Sequence, residues 1–156
     1  MKLDNFELVK FNQFNIEHEY IMNCIFDKRG SKYLSDYKSF MEFFSKCSED
    51  VMFVNVLYLV LYYKRFVGFF SLVHQRFGYE VISGMMPNER GKKLGALLLQ
   101  EFSEEVFEKY PSIDRLHLKI HQNNMSAIKS ALMVVYRQLN IETFVMDSVP
   151  VSKKSR

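Results

Sequence analysis

The chain has 156 residues, the usual size of a single domain with one hydrophobic core. Its formal net charge of +3 does not indicate a nucleic-acid-binding surface, because removing the three basic residues at the C-terminal end leaves 18 basic and 18 acidic residues. The only cysteines, Cys24 and Cys47, belong to no C-x-x-C or Cys/His cluster, so the sequence supports neither a metal site nor a redox motif.

The first elements in chain order are a strand and two helices. A short strand is expected over residues 7–11. A helix is expected over 16–28, where apolar residues recur every fourth position and Asn15 is a suitable cap. A second helix is expected over 33–46, because aromatic residues fall on one side of it.

A buried hairpin follows. Residues 51–63 and 66–75 are rich in β-branched and aromatic residues, which is typical of strands. The first of these segments is too short for a membrane helix, which needs about 20 apolar residues. The N-terminus carries no apolar signal core. We therefore expect a soluble cytoplasmic protein with no membrane partner.

The second half of the chain alternates strands and helices. Strands are expected over 79–86, 113–120 and 141–146, and helices over 91–109 and 125–136. This order, with a hairpin at its centre, predicts an α/β protein with a mixed sheet flanked by helices.

The loop between the strand and the helix at the centre of the chain has the chemistry of a phosphate-binding site. Free N–H groups and the positive end of the helix dipole attract phosphate oxygens, and glycines let a ligand approach the main chain. A Walker loop is excluded because Gly-Lys is not followed by Ser or Thr, and a dinucleotide fingerprint because the loop has two glycines rather than three. A pyrophosphate site is therefore predicted at Arg90, Gly91, Lys92, Lys93, Leu94, Gly95 and Ala96.

This loop resembles motif A of the GNAT acyltransferase superfamily, which reads Arg/Gln-x-x-Gly-x-Gly/Ala and binds the pyrophosphate of coenzyme A. Arg90 matches the first position and Gly95 the last, whereas Lys93 stands where the first glycine is expected. Upstream, residues 62–70 resemble the family's central hairpin.

A second motif of the same family follows downstream. The segment that begins at Asn124 resembles motif B, in which a strand ends in an Asn that starts a helix, and small and aliphatic residues follow at Ala127 and Ile128. The likeness covers roughly residues 50–140 and rests on three ordered pieces rather than on any one of them.

The resemblance implies the GNAT fold, a central mixed and largely antiparallel sheet that is splayed between the strand before motif A and the strand before motif B. It also implies that acetyl-CoA is the acyl donor. The donor would be held by the motif A loop, by main-chain atoms at Gly84 and Met85, and by Asn124.

Acyl transfer to an amine needs a base, a hydrogen-bond donor for the oxyanion and a proton for the departing thiolate. The resemblance implies that Glu80 is the base, with a solvated strand-end glutamate as the alternative and His74 as a second candidate. The family's usual acid is a Tyr seven residues after the motif B Asn, where this chain has Ala131. Tyr136 is the remaining candidate acid.

The resemblance favours an N-acetyltransferase that moves the acetyl group to the amine of a small molecule or a peptide N-terminus by direct attack. The alternative, favoured by Lys93 and Ala131, is a non-catalytic sensor or interaction module that binds acyl-CoA. A transferase acting on charged tRNA would need a basic face that the balanced charges do not indicate. We expect a monomer or homodimer with one domain over residues 1–148 and a flexible basic tail over 149–156.

Overall fold

The computed structural model describes residues 4–27, 33–134 and 136–148. Within these residues a seven-stranded sheet is flanked by four α-helices, and a 3-10 turn (Pro87–Glu89) precedes the third helix. The helices are α1 (Ile16–Ile25), α2 (Tyr37–Ser48), α3 (Leu94–Lys109) and α4 (Met125–Met133). The strands are β1 (Phe6–Lys10), β2 (Val56–Tyr62), β3 (Arg65–Gln75), β4 (Gly78–Met85), β5 (Arg115–Lys119), β6 (Arg137–Asn140) and β7 (Thr143–Asp147).

The sheet has the order β1-β2-β3-β4-β5-β7-β6, and it is antiparallel except at its centre. There β4 and β5 run parallel, but they pair only at Tyr79 with Leu116 and at Glu80 with His117. Beyond Glu80, β4 stays paired with β3 as far as Met85. The sheet is therefore open between β4 and β5, and the predicted splayed α/β fold is confirmed.

Each face of the sheet carries its own hydrophobic core, because successive side chains of a strand point to opposite faces. One face, called the α3 face here, packs against α3 and α4. The other, called the α1 face, packs against α1 and α2. The α3 face includes Phe70, Leu72, Val81, Phe102, Leu116 and Phe144. The α1 face includes Ile21, Ile25, Phe40, Leu59, Phe69 and the partly buried Ile82.

Side-chain caps start three of the helices. The Asn15 side chain accepts a hydrogen bond from the His18 N–H at 3.1 Å, as the sequence predicted. The start of α2 lies at Tyr37, not at residue 33, because Asp36 accepts from the Ser39 N–H at 2.8 Å and so fixes the first turn. The helix α1 ends at Ile25, and the predicted end at residue 28 lies outside the described residues.

Two predicted boundaries differ because of contacts distant in sequence. β2 begins at Val56, since the residues before it form a loop in which Asn55 accepts a hydrogen bond from the His74 N–H at 3.0 Å. The helix α4 ends at Met133 rather than at 136, and the edge strand β6 follows, which the sequence did not predict. All four residues of β6 are exposed, so it lacks the apolar alternation that identifies a strand.

No helix in the described part of the chain has both the length and the apolar character needed to cross a membrane. Among the same residues, no three His, Cys, Asp or Glu side chains are grouped so as to hold a metal ion. The predicted tail at 149–156 lies outside the described residues.

Candidate active site

The opening between β4 and β5 exposes main-chain groups of β4. The Met86 N–H donates to the Val67 carbonyl on β3 at 2.8 Å. Because residues of an antiparallel pair alternate between facing the partner and facing away, the polar groups of Ser83 and Met85 point into the opening. Those of Gly84 face β3, where Gly84 pairs with Phe69. Of the two predicted main-chain positions, the structure therefore turns Met85 towards the opening and Gly84 away from it.

Gly84 has a packing reason to be glycine. A Cβ atom on it would lie 2.6 Å from the Ile25 Cγ2 and 2.9 Å from the Phe69 Cε1, so α1 can approach β4 only because the side chain is absent. This close approach brings the C-terminal end of α1 next to the predicted phosphate loop.

The loop that enters α3 has the backbone shape of an anion site. Gly91 (φ 77°) and Lys93 (φ 62°) both take left-handed conformations. Lys93 lies just before the helix and provides no side-chain cap. The N–H groups of the first helical turn, which begins at Leu94, are therefore available to a ligand. The same conformation explains why the family motif has glycine at the position of Lys93, since glycine adopts it without steric cost.

Neither glycine of the loop is required by packing within the protein. A Cβ on Gly91 would meet nothing within 4 Å, and one on Gly95 would meet only the Met85 Cγ at 4.0 Å. Glycine inside a helix costs about 0.5–1 kcal/mol relative to alanine. The space beside the first turn of α3 is therefore open in this structure, which fits a ligand that packs against the main chain.

The cations of the loop are arranged differently from the prediction. Arg90 Nη2 donates to the Ile25 carbonyl at 3.0 Å, and burial lowers the pKa of this guanidinium. The Arg90 guanidinium therefore donates a hydrogen bond to a carbonyl at the C-terminal end of α1. Lys92 and Lys93 remain exposed at the rim, with Lys92 Nζ 3.8 Å from the carboxylate of Glu89. The positive charge next to the first turn of α3 comes mainly from these two lysines and the helix dipole.

An ion pair between a buried glutamate and a half-exposed arginine, which the sequence did not reveal, anchors the turn before the loop. The Glu89 side chain is 3% exposed, and Arg65 binds both of its oxygens, with Nε–Oε2 at 3.0 Å and Nη2–Oε1 at 3.2 Å. Arg65 lies at the start of β3, so this contact ties the β2–β3 turn to the 3-10 turn before the loop. No local pattern relates two residues 24 positions apart, which is why the sequence missed the pair.

Glu80 lies at the closed end of the opening, on the α1 face. It is 8% exposed, and its carboxylate accepts a hydrogen bond from the Gln75 side-chain amide. Burial raises its pKa above the usual range, while the Gln75 hydrogen bond and the charge of Lys119 act in the opposite direction. A buried carboxylate with a raised pKa is suited to exchange a proton with an amine.

The two histidines near Glu80 differ in position. His74, the second candidate base, points to the α3 face, where its ring stacks on Phe53 with a centroid distance of 3.6 Å. His117, which the sequence did not single out, is the register partner of Glu80 on β5 and shares its face. Its Nδ1 lies 3.1 Å from the Tyr79 carbonyl oxygen, and burial lowers its pKa. The structure thus brings His117, and not His74, next to Glu80.

Motif B lies on the other side of the opening. The Asn124 Oδ1 accepts a hydrogen bond from the Ala127 N–H at 3.3 Å, which leaves the amide NH₂ of Asn124 available to a ligand. On the neighbouring residue, the Asn123 carbonyl accepts from the Tyr33 hydroxyl at 3.1 Å. This contact joins the segment before α2 to the β5–α4 loop across the sheet.

The predicted acid lies in the core of the α3 face. Tyr136 is 4% exposed, and its hydroxyl is 2.8 Å from Ser103 Oγ on α3. Burial raises its pKa far above the usual range, so its phenol holds its proton strongly. Ala131, where the family's usual Tyr is expected, is fully buried against the same core. This environment is unfavourable for proton delivery to the opening.

The sequence matches a family model, described as the Acetyltransferase (GNAT) family, over residues 20–131. The chain belongs to this family. It is thus related to acetyltransferases, and the predicted enzyme class is confirmed. A search of curated protein sequences finds no match.

Solved structures of N-acetyltransferases share the fold at low sequence identity. The spermidine N-acetyltransferase of Vibrio cholerae, in complex with CoA and spermine, has a TM-score of 0.68 at 12% identity and is aligned over 93% of this chain and 96% of its own. The N-acetyltransferase PseH of Campylobacter jejuni, in complex with acetyl coenzyme A, has a TM-score of 0.64 at 19% identity, with 92% and 99% covered. The aminoglycoside acetyltransferase AAC(6')-Ib, with coenzyme A and kanamycin, has a TM-score of 0.70 at 10% identity, with 92% and 94% covered. The ligands in these structures agree with the predicted acyl donor.

Proposed function

We propose that this GNAT protein transfers the acetyl group of acetyl-CoA to a primary amine by direct attack. One observation carries the proposal. The sheet opens between β4 and β5, with the buried carboxylate of Glu80 at the closed end of the opening. At its other end lies the first turn of α3, which has no side-chain cap.

The donor would lie along this opening. Its pyrophosphate is expected at the N–H groups of Leu94, Gly95 and Ala96, with Lys92 and Lys93 at the rim. The space beside Gly95, which no protein atom fills, is where the phosphates would approach the helix. The Met85 main chain and the Asn124 amide would hold the pantetheine arm. Bound there, acetyl-CoA supplies an activated thioester carbonyl.

In the transfer, the carboxylate of Glu80 takes the proton of the attacking amine, directly or through water. A bond forms between the amine nitrogen and the acetyl carbon, and the bond between that carbon and sulfur breaks. The Met85 N–H, which points into the opening, is suited to donate to the carbonyl oxygen as it gains charge. We assign the proton for the departing sulfur to water, because Tyr136 is enclosed with Ser103 in the core.

The second candidate function is an acyl-CoA sensor without transfer activity. The buried Ala131 and the enclosed Tyr136 favour it, since neither can supply an acid to the opening. The two functions share the donor site and differ only in chemistry.

The substitution Glu80→Gln separates the two functions. We expect it to leave CoA affinity unchanged and to lower turnover roughly 100-fold or more, the usual scale for loss of a general base. The wild-type rate should fall as the pH drops through the raised pKa of Glu80, and this limb should vanish in the variant. Initial rates of thiol release with polyamines, aminoglycosides, amino acids and peptides would measure both effects.

Glu108→Gln, an exposed position on α3, is the matched control and should behave like the wild type. Tight CoA binding without transfer to any amine would favour the sensor. Full activity in Glu80→Gln would remove Glu80 from the mechanism.

A further inference from the structure

The closed end of the opening, where the acceptor amine would meet Glu80, also carries a positive charge. Lys119 lies two residues beyond His117 on β5, so it points to the same face. Its ammonium donates to Thr143 Oγ1 at 2.9 Å and lies 4.7 Å from the centroid of the Phe77 ring. Two contacts thus hold this lysine beside the closed end of the opening.

Glu80 and Lys119 influence each other without forming a contact. Glu80 is the register partner of His117, and Lys119 lies on the same face two residues further along β5, so the two charged groups belong to neighbouring strands on one face. The charge of Lys119 accordingly lowers the pKa of Glu80. Among the described residues, however, no ion pair joins them, and each has its own neutral partner, Gln75 for Glu80 and Thr143 for Lys119. A carboxylate and an ammonium that lie near each other, unpaired, can bind the two ends of one zwitterion.

Two other ionisable groups on this face, His117 on β5 and Asp147 on β7, do not add net negative charge beside Lys119. Burial lowers the pKa of the His117 imidazole, which favours its neutral form. Asp147 is bound by both Arg115 at 2.5 Å and Arg137 at 3.0 Å, so its charge is more than balanced. On α2, burial raises the pKa of the Cys47 thiol, and the charge of Glu80 acts in the same direction while that of Lys46 acts in the opposite one. An ammonium held at this position is unfavourable for a polycationic acceptor, because like charges repel.

An apolar side chain lies beside the ammonium of Lys119. Phe77, at the turn between β3 and β4, is 42% exposed and contacts the His117 ring at a centroid distance of 5.1 Å. Its ring lies beside the ammonium of Lys119, so it can pack against the side chain of a bound acceptor.

We propose that the acceptor is an aminocarboxylate whose amine lies at Glu80, whose carboxylate pairs with Lys119 and whose side chain packs on Phe77. This inference rests on the proposed acetyl transfer and names the acceptor class of the same site. The carboxylate is unchanged by the reaction, and only the amine gains the acetyl group.

The test compares each amino acid with its decarboxylated amine and its amide, for example phenylalanine, phenethylamine and phenylalanine amide, with spermidine as the polycation. We expect kcat/KM for the amino acid to exceed that of the other three by roughly tenfold or more, the scale of one charge-assisted pair. Lys119→Ala and Lys119→Glu should remove this preference, and Lys119→Arg should keep most of it. Binding of phenylalanine to the protein with CoA, measured by calorimetry, gives the same comparison without turnover.

The outcomes separate this inference from the proposed function. Transfer that favours phenethylamine or spermidine, or a preference for the amino acid that survives Lys119→Ala, would overturn the acceptor class and leave acetyl transfer intact. Absence of transfer to every amine, together with no binding of phenylalanine by calorimetry, would overturn both. An unchanged rise in melting temperature on adding CoA verifies that each Lys119 variant keeps its donor site.

Discussion

At the scale of single residues, the role proposed for Glu80 opposes its contribution to stability. Its pKa is raised above the usual range by burial, so the folded protein favours the protonated side chain more than the unfolded chain does. Its contribution to the free energy of unfolding is therefore most favourable at low pH and declines as the pH rises through the raised pKa. The proposed role of Glu80 as a base therefore requires a charged form that burial disfavours.

Glu80→Gln is accordingly expected to raise the melting temperature at pH 8, because the amide removes the buried charge. The difference between variant and wild type should shrink as the pH falls through the raised pKa of Glu80 towards the usual range of a glutamate. Thermal unfolding of both proteins across pH 4–8 measures this difference. A variant that is less stable than the wild type at pH 8 would contradict the prediction.

Lys93 is a second residue that costs stability, because its backbone is left-handed although it is not a glycine. A left-handed backbone costs a non-glycine residue roughly 1–2 kcal/mol, part of which glycine loses again through its freer unfolded state. Lys93→Gly is therefore expected to raise the free energy of unfolding by about 0.5–1 kcal/mol, as measured by urea denaturation. Lys92→Gly, at a neighbouring position without a positive φ, should lower it.

At the scale of elements, the predicted phosphate loop is held from two sides. Arg90 joins it to the end of α1, and Glu89 joins it to the β2–β3 turn through Arg65. Arg65 holds the pKa of Glu89 below its usual range, so the pair contributes stability at neutral pH that is lost as the pH falls through that lowered pKa. The loop is thereby fixed before any ligand binds.

Arg65→Ala is expected to weaken CoA binding several-fold and to lower the melting temperature, because it leaves the buried Glu89 carboxylate with Lys92 alone. Arg65→Lys should restore part of both, since lysine lacks the paired donors. Lys64→Ala is the matched control, because its ion pair with Glu7 at 3.4 Å is exposed. Calorimetric titration with CoA checks the affinities. Equal affinity in Arg65→Ala and wild type would show that the loop keeps its shape without this pair.

At the scale of the whole molecule, donor binding should stabilise the fold as a unit. A ligand that binds only the native state at 100 times its Kd adds about 2.7 kcal/mol. For a domain of this size each kcal/mol raises the melting temperature by about 2–4 °C, so saturating acetyl-CoA should raise it by roughly 5–10 °C.

Gly95→Asp should abolish this rise, because it places bulk and negative charge in the space beside the first turn of α3. Differential scanning fluorimetry with and without millimolar acetyl-CoA measures the effect. A wild-type melting temperature that does not respond would contradict the donor site itself.

The sequence by itself determined the features whose causes are local. The caps at Asn15 and Asn124, the uncapped glycine loop and the β-branched and aromatic runs of the central strands all arise from residues a few positions apart. Together with the order of the motifs, they predicted the splayed sheet and the family. The sequence also showed that Lys93 departs from the glycine of the family motif. Only the structure showed that this lysine adopts the left-handed backbone conformation.

The tertiary structure alone decided which residues meet. It placed Glu80 and His74 on opposite faces, because strand register assigns alternate residues to alternate sides of a sheet. It placed Lys119 on the same face as Glu80 across two parallel strands, paired Arg65 with Glu89 between two turns, and enclosed Tyr136 against Ser103. Each of these contacts joins residues far apart in the chain. Their energies depend on how strands pair and helices pack, and hydrophobic periodicity along the sequence does not encode that pairing.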